Sequence, residues 1–339
     1  MAYTLKLDIY YFRLNRIVET VTRNTKNGTR IGYKVEQDNS SFDEFVKSLT
    51  LSTKKDDYMK SFLESFINGF NNAFVHNQLN TKAISITTDL YNGHNSKDYT
   101  AWGVFKGGMT GIRYDVYNTN NAIKRTGTVF EDSVASLHYF YKIWLPKDSN
   151  IGVLMIQSYT SSGCVSLFKE QLEQYFISTG YKISWSKCVP KSYIDKYLKD
   201  GYINEIHVLH FNRDKEKVMK PLFTPFMEAR RRSIFTKFNI PLGDFMSMFD
   251  YQRFLKEQIK VVDLNFDEEQ DIIKLFYENN GKRAHASLAN IEKILPVITL
   301  DGLSQDEITQ EPQWEELNIF TRDILDELKK QIHYTPQKL

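Results

Sequence analysis

The sequence predicts an α+β fold: an N-terminal antiparallel sheet with helices, a central βαβαβ unit and a mostly helical C-terminal region. Residues 3–12 alternate between apolar and polar positions, which is typical of a half-exposed strand. Residues 151–211 run strand, Ser/Gly turn, amphipathic helix, strand, helix, strand, an order that implies right-handed crossovers and a locally parallel sheet. The remainder, from about Lys217, reads as mostly helical.

The opening region also contains a hairpin signal and an aromatic helix. The dipeptide Asn27-Gly28 favours a tight turn between two strand-like runs. A helix that begins near Thr53 should bury a stripe at steps of four residues, formed by Tyr58, Phe62, Phe66, Phe70 and Phe74. We interpret this stripe as plain core.

Three regions follow from these patterns: 1–122, 123–212 and 213–339, of which the second is rich in strands and could share one sheet with the first. Residues 152–156 are continuously apolar, which suits a strand covered on both faces. A helix over about 164–176 comes next. In the third region we expect helices over 245–260 and 267–279. A last helix should be lined by Leu317, Phe320, Ile324, Leu328 and Ile332.

Composition and charge indicate an ordinary globular protein. The chain has 339 residues, a net charge of +2, and 41% hydrophobic and 25% charged residues. Cys164 and Cys188 are its only thiols, which favours a reducing compartment. No stretch approaches the roughly 18–20 apolar residues of a membrane span. We therefore expect a soluble cytoplasmic protein that contacts no membrane.

The turn after the central strand is a candidate anion site. Unpaired N–H groups and the helix dipole attract anions at a helix start. Ser161 and Ser162 could add hydroxyl donors, and Gly163 would let a ligand approach the backbone. His210, near the end of the third strand, could face the same opening. The simpler alternative is that Ser162 only caps the helix.

A basic cluster is the candidate nucleic-acid contact. Residues 213–237 hold eight basic and three acidic side chains. We expect Arg230, Arg231 and Arg232 to surround a helix, with Lys237 beyond them. Phosphates that contact these side chains would release their counterions, which favours binding. Residues 301–328 hold nine acids and one arginine. The alternative is therefore that the basic cluster pairs with this acidic stretch.

Catalytic motifs are missing from the sequence. It contains no Gly-x-Ser-x-Gly elbow, no phosphate-binding Walker loop and no His-Glu-x-x-His pair. His207 and His210 lie three apart, so on a strand they would face opposite sides and could not share a metal ion. We expect no metal and no cofactor, and the sequence leaves open whether the protein is an enzyme.

Residues 151–211 resemble uncharacterised bacterial proteins of phage-defence loci. The resemblance rests on residues 152–157, Gly163, Phe168, Leu172, Tyr175 and the Tyr-Leu-x-x-Gly pattern of 197–201. It implies a bacterial antiviral setting, and no reaction. We predict a non-catalytic component that binds DNA or RNA, or a protein subunit from the same locus, through the basic surface. The alternatives are a nuclease or phosphoester hydrolase that uses the turn, and a structural subunit of a protein complex.

Overall fold

The computed structural model describes residues 4–25, 28–36, 41–49, 58–159, 163–193, 196, 201–209, 231–232, 240–241, 272–279, 282–287, 298–332 and 334. The chain forms two compact units. The first unit comprises Met1–Cys188 and Val297–Leu339, and the second comprises Val189–Pro296. The expected boundaries at 122/123 and 212/213 do not coincide with this division.

The first unit is built on a large antiparallel sheet. Its strands are β1 (Leu5–Thr25), β2 (Gly28–Glu36), β3 (Val75–His76), β4 (Lys82–Ser85), β5 (Asn92–Asn95), β6 (Thr100–Met109), β9 (Ala135–Trp144), β10 (Ile151–Tyr159), β11 (Tyr181–Lys187) and β17 (Ile298–Thr299). The main order is β11-β1-β10-β9-β6-β4-β3, with β2 and β17 paired to β1 and β5 paired to β6. Every pairing between these strands is antiparallel.

The predicted parallel βαβαβ unit is therefore wrong. β10 and β11 run in the same direction because each pairs antiparallel with β1, which lies between them. The third predicted strand, β12 (Gly201–Leu209), belongs to the sheet of the second unit. The apolar run of β10 reflects burial in the middle of an antiparallel sheet that is covered on both faces. That environment produces the same pattern as a parallel sheet.

Helices α1 (Phe42–Leu49), α2 (Tyr58–Asn68) and α3 (Val165–Ser178) form one aromatic layer against the sheet. Ring centroids lie 4.6 Å apart for Phe45–Phe176 and 4.8 Å apart for Phe105–Phe168. The helices predicted after Thr53 and over about 164–176 are present as α2 and α3. α2 ends before Phe70, however, and Phe74 is exposed. Aromatic packing of this kind holds α3 on the face of β1 that carries Phe12.

The expected last helix is present as α4 (Trp314–Gln331) and packs on the opposite face of the sheet, although Phe320 is only half-buried and Ile332 follows the last helical residue. It buries Leu317, Ile324, Leu325 and Leu328. Thr321 is also buried, and its hydroxyl donates to the carbonyl of Leu317 at 2.8 Å. The sheet of the first unit is thus enclosed by helices on both sides around its centre.

Two hairpins extend this unit. β1 is a single strand of 21 residues that continues well past the strand expected over residues 3–12. Its second half pairs with β2 as a ribbon. β7 (Tyr114–Asn118) and β8 (Asn121–Val129) form a separate two-stranded sheet. Ile123 on this second hairpin is 93% exposed.

The second unit is described only through its strands. These are β12, β13 (Arg231–Arg232), β14 (Ile240–Pro241), β15 (Ile272–Asn279) and β16 (Lys282–Ser287), in the order β13-β12-β15-β16 with β14 also on β12. The expected helix over 267–279 is wrong, because residues 272–279 form β15. The expected helix over 245–260 lies outside the described residues. The expectation of a mostly helical C-terminal region is wrong for the part of it that the structure describes, which is a second antiparallel sheet followed along the chain by β17 and α4.

Candidate functional site

A basic groove lies where β1, β2 and β11 meet. It has a volume of about 360 Å³ and is lined by Arg13, Asn15, Tyr33, Val35, Lys182, Ile183 and Ser184. Among the residues that the structure describes, the lining contains two cationic side chains and no carboxylate. This combination gives the groove a positive potential that suits an anionic ligand.

Strand register builds the groove. Arg13 pairs with Ser184 and Asn15 pairs with Lys182, so these four residues share one face of the sheet. The neighbouring positions Phe12 and Leu14 lie on the other face and are buried there. Over residues 12–15, alternation along β1 thus separates the polar face of the groove from the apolar face that α1 and α3 cover.

The groove combines charge with an aromatic surface. Arg13 is exposed, so its guanidinium is accessible from solvent. The Nζ of Lys182 lies 5.5 Å from the ring centroid of Tyr33. Cationic groups contact phosphates, and an aromatic ring offers a face on which a base can stack. The groove therefore carries both contacts that single-stranded nucleic acid requires.

The strand before the predicted anion turn ends beside an ion pair. Ser158 is the penultimate residue of β10 and is buried, and its hydroxyl donates to the Oδ2 of Asp8 at 3.2 Å. Lys187 lies 3.2 Å from the other carboxylate oxygen of Asp8. The rule that ligands bind beyond parallel strands does not apply here, because this sheet is antiparallel.

The start of α3 does not use a serine cap. Its N-cap is Cys164, which makes no side-chain capping bond, so the expected capping by Ser162 is wrong. Gly163 is exposed, and its carbonyl accepts a hydrogen bond from Lys82 Nζ at 2.8 Å. Burial raises the pKa of the Cys164 thiol. Ser161, Ser162 and His210 lie outside the described residues.

Two residues of the arginine cluster are described, and they lie on a strand. Arg231 and Arg232 form β13, which pairs with Leu209 and Val208 of β12. The expected helix is therefore wrong at these two positions. Arg230 and Lys237 lie outside the described residues. The nucleic-acid role of this cluster stays a prediction.

Sequence reasoning missed a histidine–carboxylate pair in the first unit. The Nδ1 of His138 lies 2.7 Å from the Oε1 of Glu311, and both side chains are partly buried. His138 is on β9 and Glu311 precedes α4, so only the folded chain brings them together. Within the described part of the chain, no group of three or more His, Cys, Asp or Glu side chains is placed to hold a metal ion.

No protein-family model matches this chain, and no curated protein matches it. Among the described residues, no helix has the length and apolar character that a membrane crossing requires.

Proposed function

We propose that this chain is a cytoplasmic, non-catalytic component of a bacterial antiphage system, and that it binds single-stranded DNA or RNA through the basic groove of the first unit. The groove, with its two cations, one tyrosine ring and no lining carboxylate, is the observation that carries the binding proposal. The defence setting rests on the resemblance of residues 151–211 alone.

The β1–β2 ribbon supports the same interpretation. It extends β1, the β-strand that carries Arg13. A bound nucleic-acid strand would therefore contact backbone and polar groups along this ribbon. Both side chains of the Lys34–Glu19 ion pair on this ribbon are exposed. Exposed ion pairs contribute about 0–1 kcal/mol to the free energy of unfolding. Lys34 can therefore exchange its partner for a phosphate at little cost.

We expect the double variant Arg13→Ala/Lys182→Ala to weaken binding of a fluorescein-labelled single-stranded oligonucleotide. Each lost phosphate contact should reduce the steepness of log K against log salt by about 0.7, or roughly 1.4 for the pair. Tyr33→Leu should weaken binding about 5–100-fold, because one stacked base contributes about 1–3 kcal/mol. Fluorescence anisotropy at several salt concentrations measures both effects.

The control is Lys60→Ala/Lys97→Ala, which removes the same charge at exposed positions outside the groove. It should leave the salt slope unchanged. Affinity that does not respond to salt would contradict nucleic-acid binding altogether. Arg231→Ala/Arg232→Ala tests the surface that the sequence suggested, and loss of binding in that variant alone would place the contact in the second unit.

A protein partner is the second candidate, and the β7–β8 hairpin favours it. Val116, Tyr117 and Ile123 are exposed on this hairpin, and Phe130 is exposed just after it, where the guanidinium of Arg113 lies 5.5 Å from the Phe130 ring centroid. Exposed apolar groups on a projecting hairpin suit a protein interface. Two results together would favour a protein-binding function. The chain would bind no oligonucleotide, and Ile123→Asp would abolish its co-purification with a subunit from its own locus.

A further inference from the structure

A buried lysine stands at the floor of a second cleft in the first unit. Lys142 is on β9, is 4% exposed, and lies on the sheet face that α4 covers. Its Nζ donates to the carbonyl of Asn318 at 2.6 Å and lies 5.9 Å from the ring centroid of Trp102. Among the described residues, this amine forms no ion pair with a carboxylate.

The surroundings of Lys142 favour its neutral form. Burial, together with the positive charges of Arg322 and Lys329, lowers the pKa of Lys142 to about 7, while Asp323 and Asp326 oppose the shift. Asp98, between β5 and β6, and Glu315, at the start of α4, also line the cleft. An unprotonated lysine amine is a nucleophile, and desolvation beside other cations is the usual way in which proteins produce one.

The cleft has room for a small ligand. Its volume is about 200 Å³, below the roughly 300–1,000 Å³ of typical ligand sites, so it suits a molecule of few heavy atoms. Trp102 pairs with Lys142 in register and forms the apolar wall beside the amine. On the helix side, the guanidinium of Arg322 lies 3.9 Å from Asp323 in an exposed pair, so it remains available to a carboxylate.

We propose that this cleft binds a small 2-oxo acid, whose carboxylate contacts Arg322 and whose carbonyl carbon forms an imine with the Nζ of Lys142. The amine lone pair attacks the carbonyl carbon as the π bond of the carbonyl breaks, and one proton passes from the amine nitrogen to the oxygen to give a carbinolamine. The carbinolamine then loses one water molecule, formed from its hydroxyl and the amine proton, and a C=N bond replaces the C=O bond. No electron is gained or lost, and no co-reactant is required.

The alternative is that Lys142 only anchors α4 through Asn318. Covalent trapping separates the two roles, because an anchoring amine need not react. We would incubate the full chain with pyruvate and sodium cyanoborohydride at pH 7 and map the adduct by peptide mass spectrometry. Lys142 should be modified at least about tenfold faster than the exposed Lys97, because burial lowers the pKa of the Lys142 amine and the unprotonated amine is the nucleophile.

Two variants complete the test. Lys142→Met should abolish the adduct while leaving labelling of Lys97 unchanged. Arg322→Gln should lower the ratio of trapping by pyruvate to trapping by acetaldehyde, which has no carboxylate, by at least about fivefold; this ratio cancels any change in the reactivity of the amine itself. Modification of Lys142 no faster than that of Lys97 would overturn the proposal, and so would an unchanged ratio. The first measurement uses only the unmodified chain and does not depend on the folding of any variant.

Discussion

Replacing Phe168 by alanine is expected to lower the free energy of unfolding of the first unit by about 3–5 kcal/mol. Phe168 is fully buried on α3, and its ring centroid lies 4.8 Å from that of Phe105 and 5.0 Å from that of Tyr141. Its removal leaves a cavity between helix and sheet that these rings can fill only in part. A loss of this size is a large share of the roughly 5–15 kcal/mol that stabilises a typical domain.

Urea unfolding followed by tryptophan fluorescence measures this loss in the relevant unit, because all four tryptophans (Trp102, Trp144, Trp185 and Trp314) belong to the first unit. Phe130→Ala is the matched control, since the same side chain is 51% exposed there. The control should change stability by no more than about 0.5 kcal/mol. Equal effects of the two substitutions would contradict the placement of α3 on the sheet.

Lys142→Met is expected to change the pH dependence of stability. The pKa of Lys142 is about 7 in the folded chain, whereas the ordinary pKa of a lysine is 10.5, so between these pH values the unfolded chain holds the extra proton. Rising pH therefore stabilises the wild-type protein relative to the variant. Between pH 7 and pH 9.5 the difference should shift by about 3 kcal/mol, from the conversion of about 1.4 kcal/mol per pKa unit.

The measurement is urea unfolding of both proteins at pH 7, 8, 9 and 9.5. The comparison of wild type with variant cancels groups that titrate equally in both. The variant lacks the hydrogen bond to Asn318 at every pH. To the extent that this bond does not change with pH, its loss adds a constant offset and leaves the pH dependence of the difference unchanged. Lys97→Met should show a flat difference over the same range, because Lys97 is exposed. A flat difference for Lys142→Met as well would show that the folded protein holds this amine in its charged form.

Local patterns predicted the elements whose periodicity is strong. The stripe from Tyr58 to Ile67, the helix after Gly163 and the last helix all carry apolar residues at helical spacing, and each forms a helix in the structure. The run over 272–279 was misassigned because a short apolar segment fits a buried strand and a helix equally well by periodicity. Its pairing with β12 and β16 decided the outcome.

The groove and the Lys142 cleft were beyond the reach of pattern analysis. Arg13 and Lys182 are ordinary surface cations in the sequence, and only the pairing of β1 with β11 brings them to one face. Lys142 sits in a run of aromatic and aliphatic residues, Tyr139–Leu145, in which no apolar–polar alternation marks the face that the lysine takes. The helix that buries it is 176 residues away, as the contact with Asn318 shows.

By itself, the sequence determined which segments of this protein have one apolar face, because hydrophobic periodicity is a property of neighbouring residues. The tertiary structure alone decided the direction in which the central strands pair and which polar side chains meet. Those outcomes depend on hydrogen bonding and burial between segments far apart in the chain, and no local pattern records them. For this protein, β1 is the clearest case, since one strand pairs with β2, β10, β11 and β17 and thereby builds both the core and the basic groove.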